Sequence, residues 1–71
     1  SRMVRHIESG FRLRVEKVLI RPMGSDFYAQ VHVELDKNMS LEQVNRVLAS
    51  IRASLLKEFE MEDVVVIPKP V

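Results

Sequence analysis

Hydrophobic positions along the chain follow two different rhythms. Near the N-terminus Met3, Val4 and Ile7 recur at three-to-four spacing, which predicts the last turns of a helix from Met3 to Glu8 with Gly10 as its stop. Leu13 to Arg21 reads as a strand, with Val15, Val18, Leu19 and Ile20 set between charged residues. Pro22-Met23-Gly24-Ser25-Asp26 is dense in turn formers. From Phe27 the alternation is strict: Phe27, Ala29, Val31, Val33 and Leu35 point one way, and Tyr28, Gln30, His32, Glu34 and Asp36 the other. That is the pattern of a strand with one wet face.

The helical rhythm then returns. Ser40 is placed to cap a second helix, with Gln43 as its capping-box partner and Met39 stapled onto Val44. Leu41, Val44, Leu48, Ile51, Leu55 and Phe59 run down one side. Glu60-Met61-Glu62-Asp63 breaks that pattern, and Val64-Val65-Val66-Ile67 reads as a short strand ended by Pro68.

The order αββαβ predicts an α+β fold, a two-layer sandwich with a three-stranded sheet under helices on one face. Residues 1–71 make a single domain. The second helix is the crossover into the third strand. It sets that strand parallel either to the second, or to the first with the first in the middle, and the latter is half of a ferredoxin-like fold. Either way one sheet face has no helix, and an uncovered face with apolar residues is a surface for dimerisation or for a ligand.

A hairpin symmetric about Gly24 sets Glu16 opposite His32, Arg14 opposite Glu34 and Arg12 opposite Asp36, with Val15 facing Val33 and Leu13 facing Leu35 on the other side. The charge pairs are each worth about 0.2–1 kcal/mol. The cost of this register is Lys17 on the apolar face, where it must snorkel or sit at a bulge. Glu16, His32 and Glu34 then share one patch, and a carboxylate facing an imidazole can begin a zinc site. A structural zinc needs four ligands, so a two-fold dimer would have to supply the rest. The simpler alternative is a plain His32–Glu16 hydrogen bond.

Composition narrows the field. Seventy-one residues bury a small core, and the absence of cysteine excludes disulfides, thiolate zinc knots, iron–sulfur clusters and a cysteine nucleophile. A domain of this size without a staple commonly relies on a partner subunit or parent chain. Eleven basic residues oppose ten acidic ones, a balance of +1, which argues against a nucleic-acid binder driven by phosphate neutralisation. No apolar run spans a bilayer. Arg2, Arg5, Arg12, Arg14 and Arg21 crowd the first third and could face anionic lipid or RNA, although the hairpin register gives Arg12 and Arg14 acidic partners. His6 reads as solvated near a helix end. Glu58, Glu60, Glu62 and Asp63 read as a solvated cap. No constellation points to an enzyme.

Val15-Glu16-Lys17-Val18-Leu19-Ile20-Arg21-Pro22-Met23-Gly24 followed by Phe27-Tyr28-Ala29-Gln30-Val31-His32-Val33-Glu34-Leu35 resembles the hairpin of the cation diffusion facilitators, transporters that export divalent metals. Met39-Ser40-Leu41-Glu42-Gln43-Val44 resembles that family's helix start, and Asp63 to Pro70 its closing strand. The match is to the C-terminal cytoplasmic domain and covers nearly the whole chain. It implies a metallochaperone-like fold and a homodimer below a transmembrane domain of the same chain. The present residues would then be the cytoplasmic end of a membrane protein, with the first helix truncated. It also implies a site for Zn2+ or another divalent cation. The family's ligand positions fall at Glu16, His32, Ile67 and Lys69. His32 is the family's residue, Glu16 can replace a histidine, Ile67 has no donor and Lys69 is itself a cation.

Two functions follow. One is a dimerisation and regulatory domain of a divalent cation exporter (zinc, iron, manganese or similar), with His32, Glu16 and Glu34 as candidate metal contacts, a homodimer and its metal as partners, and no nucleic acid. On that reading the domain holds a divalent cation or none. The other is a free-standing ferredoxin-like module binding a small ligand or RNA.

Overall fold

Alternation in the central strand decides the layer structure. In the computed structural model, which describes residues 1–71, the elements are α1 (Arg2–Phe11), β1 (Arg14–Met23), β2 (Asp26–Leu35), α2 (Leu41–Glu58) and β3 (Asp63–Pro70). Ala29, Val31, Val33 and Leu35 of β2 are all buried, whereas Gln30, His32 and Glu34 between them are half-exposed. Both helices pack on the buried side, and the other side is bare. The expected α+β sandwich of αββαβ order is therefore present.

The sheet order is β1-β2-β3, with β1 antiparallel and β3 parallel to β2. Of the two crossovers open from the sequence, the chain takes the first: β2 is central and α2 returns the chain to lie along it. The core joins Met3 and Ile7 of α1, Val15 of β1, the four β2 residues, Ile51 and Leu55 of α2 and Val64 of β3. Ile7, Ile51 and Leu55 are fully buried, each contributing about 1.5–3 kcal/mol by leaving water.

The ends of the elements differ in part from expectation. α1 does not stop at Gly10. It runs to Phe11 and closes at Arg12, whose φ of 55° is left-handed and whose N–H donates to the Glu8 carbonyl at 3.0 Å. Met3 and Ile7 lock its inner face, so the helix continues past a glycine that packs against nothing. At the other end the Ser1 hydroxyl accepts from the Val4 N–H.

α2 begins as expected. The Gln43 N–H donates to Ser40 Oγ at 3.1 Å, and the Ser40 N–H donates to Gln43 Oε1 at 2.9 Å, completing the capping box. Leu41, however, is 75% exposed and belongs to no core. Packing on the core begins at Val44 and continues through Leu48, Ile51, Leu55 and Phe59.

β3 continues through Pro68 to Pro70 instead of ending at Pro68. Backbone donors two residues apart point to the same side of a strand, so both prolines omit an N–H on one edge. β3 is an edge strand, where that omission costs no ladder bond and blunts a free edge.

Candidate metal centre on the uncovered sheet face

The hairpin register determines what the bare face presents. Arg14↔Glu34 and Val15↔Val33 pair as expected. A bulge follows between Val15 and Lys17, after which Lys17↔His32, Val18↔Val31 and Leu19↔Gln30 are partners. The bulge is the answer to the Lys17 problem. Inserting one residue moves Lys17 from the apolar side to the open side and puts Val18 over Val31. The expected Glu16–His32 pairing is therefore corrected: Lys17 faces His32, and Glu16 is the extra, unpaired residue of the bulge.

With β3 added, the open face reads in rows across the sheet. Arg14, Glu34 and Lys69 form one row, Lys17, His32 and Ile67 the next, and Leu19, Gln30 and Val65 the third. Glu16, His32, Ile67 and Lys69, far apart in sequence, thus lie on one patch. Glu16 Oε2 is 3.0 Å from Lys69 Nζ, an ion pair that spans β2. The Lys69 ammonium, by hydrogen bonding, holds the Glu16 carboxyl below its ordinary value of 4.5, with Lys17 and His32 adding smaller favourable fields.

The donor set does not fit a resident metal within one chain. No three histidine, aspartate or glutamate side chains are grouped to hold an ion. Glu16 is committed to Lys69, Ile67 offers no lone pair, and a cation already occupies the middle of the patch. His32 and Glu34 remain, both half-buried on neighbouring rows.

Elsewhere the structure redistributes expected contacts. Arg12–Asp36 and Arg14–Glu34 make no ion pair; the pairs formed are Arg46–Glu42, Arg52–Asp63 and Lys69–Glu16. Arg12 is taken up by the helix cap, and Glu34 has Lys69 on its other side. His6 is half-buried and not merely solvated: Nε2 lies 2.7 Å from Ser54 Oγ, and the ring stands edge-on to Phe59 at 5.7 Å. Asp63 is more than part of a solvated cap. It accepts from Arg52 Nη2 at 2.6 Å and from the Val64 N–H at 2.8 Å, and these bonds, Arg52 foremost, lower its pKa from 3.8. The Lys69–Glu16 ion pair was not legible in the sequence, because it depends on strand order. Lys17 among apolar neighbours was the one available sign of the bulge.

The fold is that of a small metallochaperone-like α+β domain. The family of cation efflux protein cytoplasmic domains matches residues 4–70, and the chain belongs to that family. It is a family of transporter domains and not of enzymes. Among solved structures, a histidine-to-alanine variant of the MamM C-terminal domain superposes with a TM-score of 0.86 at 21% identity, covering 99% of this chain and 90% of that one. A cadmium form of an aspartate-to-glutamate variant gives the same values. A valine-to-arginine variant of MamM gives 0.88 at 21% identity, with 99% and 89% covered. These likenesses show the shared fold. No curated protein sequence matches the chain. No helix here is long and apolar enough to cross a membrane.

Proposed function

We propose that this chain is the homodimeric regulatory end of a longer transporter that exports a divalent metal such as zinc, iron or manganese. Membership of the cation efflux cytoplasmic family over residues 4–70 carries the reading. The uncovered sheet face is the surface assigned to the second copy. Its middle rows hold Leu19 and Val65, 38% and 54% exposed, beside half-buried Ile67, and a bare apolar face of this kind is stabilised by burial against a partner.

The same patch sets the terms on which metal acts. His32 and Glu34 are the donors left free, and Glu16 joins them only when Lys69 lets go. A second chain must then complete the coordination, because structural zinc takes four ligands. A cadmium form of a MamM variant with this fold supports a divalent ion as the ligand class.

Native mass spectrometry with and without zinc, on the chain and on His32→Ala, is the test. A dimer that gains zinc in proportion to His32 supports the full reading. A dimer indifferent to zinc retains dimerisation and removes metal from this patch. A monomer under all conditions, together with no effect of Val65→Glu, overturns the assignment of the face.

A further inference from the structure

We infer that the outer stripe of α1 is a docking site for the phosphate headgroups of an anionic membrane surface. Arg2, Arg5 and Ser9 follow one another at three-to-four spacing along α1, opposite the buried Met3 and Ile7. None of these arginines takes part in an ion pair. The carboxylate of α1 itself, Glu8, is turned away to accept the Val15 N–H at 3.0 Å. The first turn of α1 holds no acidic residue, so the positive end of the helix dipole adds to Arg2 and Arg5 without internal compensation.

One of the two guanidiniums is also held in place. The Arg2 guanidinium sits over the Phe59 ring, 5.6 Å from its centroid. His6 braces the same ring edge-on. Between α1 and the end of α2 lies an open cleft of about 260 Å³ lined by Arg2, Arg5, His6, Ser9, Phe59 and, at one side, Glu58. The Ser9 hydroxyl donates its hydrogen to the Arg5 carbonyl at 2.7 Å, so the two guanidiniums are the donors that suit a phosphate ester, whose oxygens accept several donors at once. The occupant is argued from charge complementarity and from setting. The cytoplasmic domain of a cation efflux protein works beside a bilayer, and cytoplasmic leaflets carry anionic lipid that draws polybasic segments within a Debye length. The inference rests on family membership and not on the dimer or the metal patch.

Vesicle flotation tests it, with phosphatidylcholine vesicles set against vesicles containing phosphatidylglycerol, at low and high salt. The chain is expected to float with the anionic vesicles only, and less so as salt rises. Arg2→Ala with Arg5→Ala is expected to weaken that binding roughly thirty-fold, each guanidinium near the surface contributing about a factor of five. Arg46→Ala with Lys57→Ala removes the same charge from α2 and is expected to change it little. Both pairs are exposed, and circular dichroism confirms that each variant is folded. Equal losses from the two double variants overturn the site in favour of general charge. Absence of vesicle binding overturns it as well, including the case in which inorganic phosphate or RNA binds through Arg2 and Arg5 instead. None of these outcomes alters the zinc-dependent mass spectrum, so the two readings fail separately.

Discussion

Lys69 Nζ and Glu16 Oε2 meet at 3.0 Å across the full width of the sheet, tying edge strand β1 to edge strand β3 over the top of β2. The tie exists because the bulge before Lys17 frees Glu16 from the ladder. It places a protein-borne cation within the patch of Glu16, His32 and Glu34 proposed to meet metal. Replacing that cation with a ligand is expected to open the patch: Lys69→Asp should raise zinc affinity by about tenfold or more, since it removes a repelling charge and adds a donor. Isothermal titration of the variant and the parent chain measures this. Unchanged affinity would mean that Lys69 is not what excludes metal.

Glu16 and Asp63 give the fold an acid-sensitive component. Both carboxyls titrate below their ordinary values of 4.5 and 3.8, Glu16 through Lys69 and Asp63 through Arg52. A lowered folded-state pKa contributes stability that is fully present above the unfolded value and is lost as pH falls through the folded one. The urea midpoint is therefore expected to hold steady above about pH 5 and to decline below about pH 4.5. Asp63→Asn and Glu16→Gln should each flatten part of that decline, and a profile that is the same in both variants and parent would remove the two pairs as its source.

The Ser40–Gln43 capping box satisfies two backbone donors at the start of the longest helix. Ser40→Ala should destabilise the fold by about 1 kcal/mol and Ser40→Asp much less. Urea denaturation of both variants reads the difference, which vanishes if the cap is merely decorative.

Leu55 and Leu41 stand on the same expected stripe of α2 but at opposite extremes of burial, 0% and 75%. Leu55→Ala should cost about 2–5 kcal/mol, enough to unfold a domain this small. Leu41→Ala should stay within about 0.5 kcal/mol. Thermal melts of the isolated chain distinguish them, and equal losses would show that the first turn of α2 packs more tightly than described.

Elements governed by local rules were legible in the sequence. β2 declared itself through alternation and α2 through its cap and apolar stripe, because each depends on neighbours within a few positions. The αββαβ sandwich and the family resemblance followed from those elements. What escaped depended on the third dimension. Arg12 ends α1 because the core holds Ile7, and no local signal overrides Gly10. β3 passes through two prolines because it lies at an edge, a fact set by strand order. Glu16, His32 and Glu34 do share one face, as read from the hairpin, but the bulge changed who faces whom. The Glu16–Lys69 pair could not be seen until β3 was known to run beside β2.

The hairpin outruns its support. β3 pairs with β2 only from Tyr28 onward, so the ribbon around Met23 and Asp26 has two free edges, and Ile20, Met23 and Phe27 stand roughly half-exposed or more along it. A two-stranded ribbon twists more than a wider sheet, and without a backing layer little resists further twist. Mechanically the molecule is a stiff handle with a compliant blade, drawn out to 40 Å along its longest axis against 21 and 18 Å. Only the rows Pro22↔Phe27 and Met23↔Asp26 lack a third strand, so a torque applied at the tip is expected to twist those rows before it moves the helices.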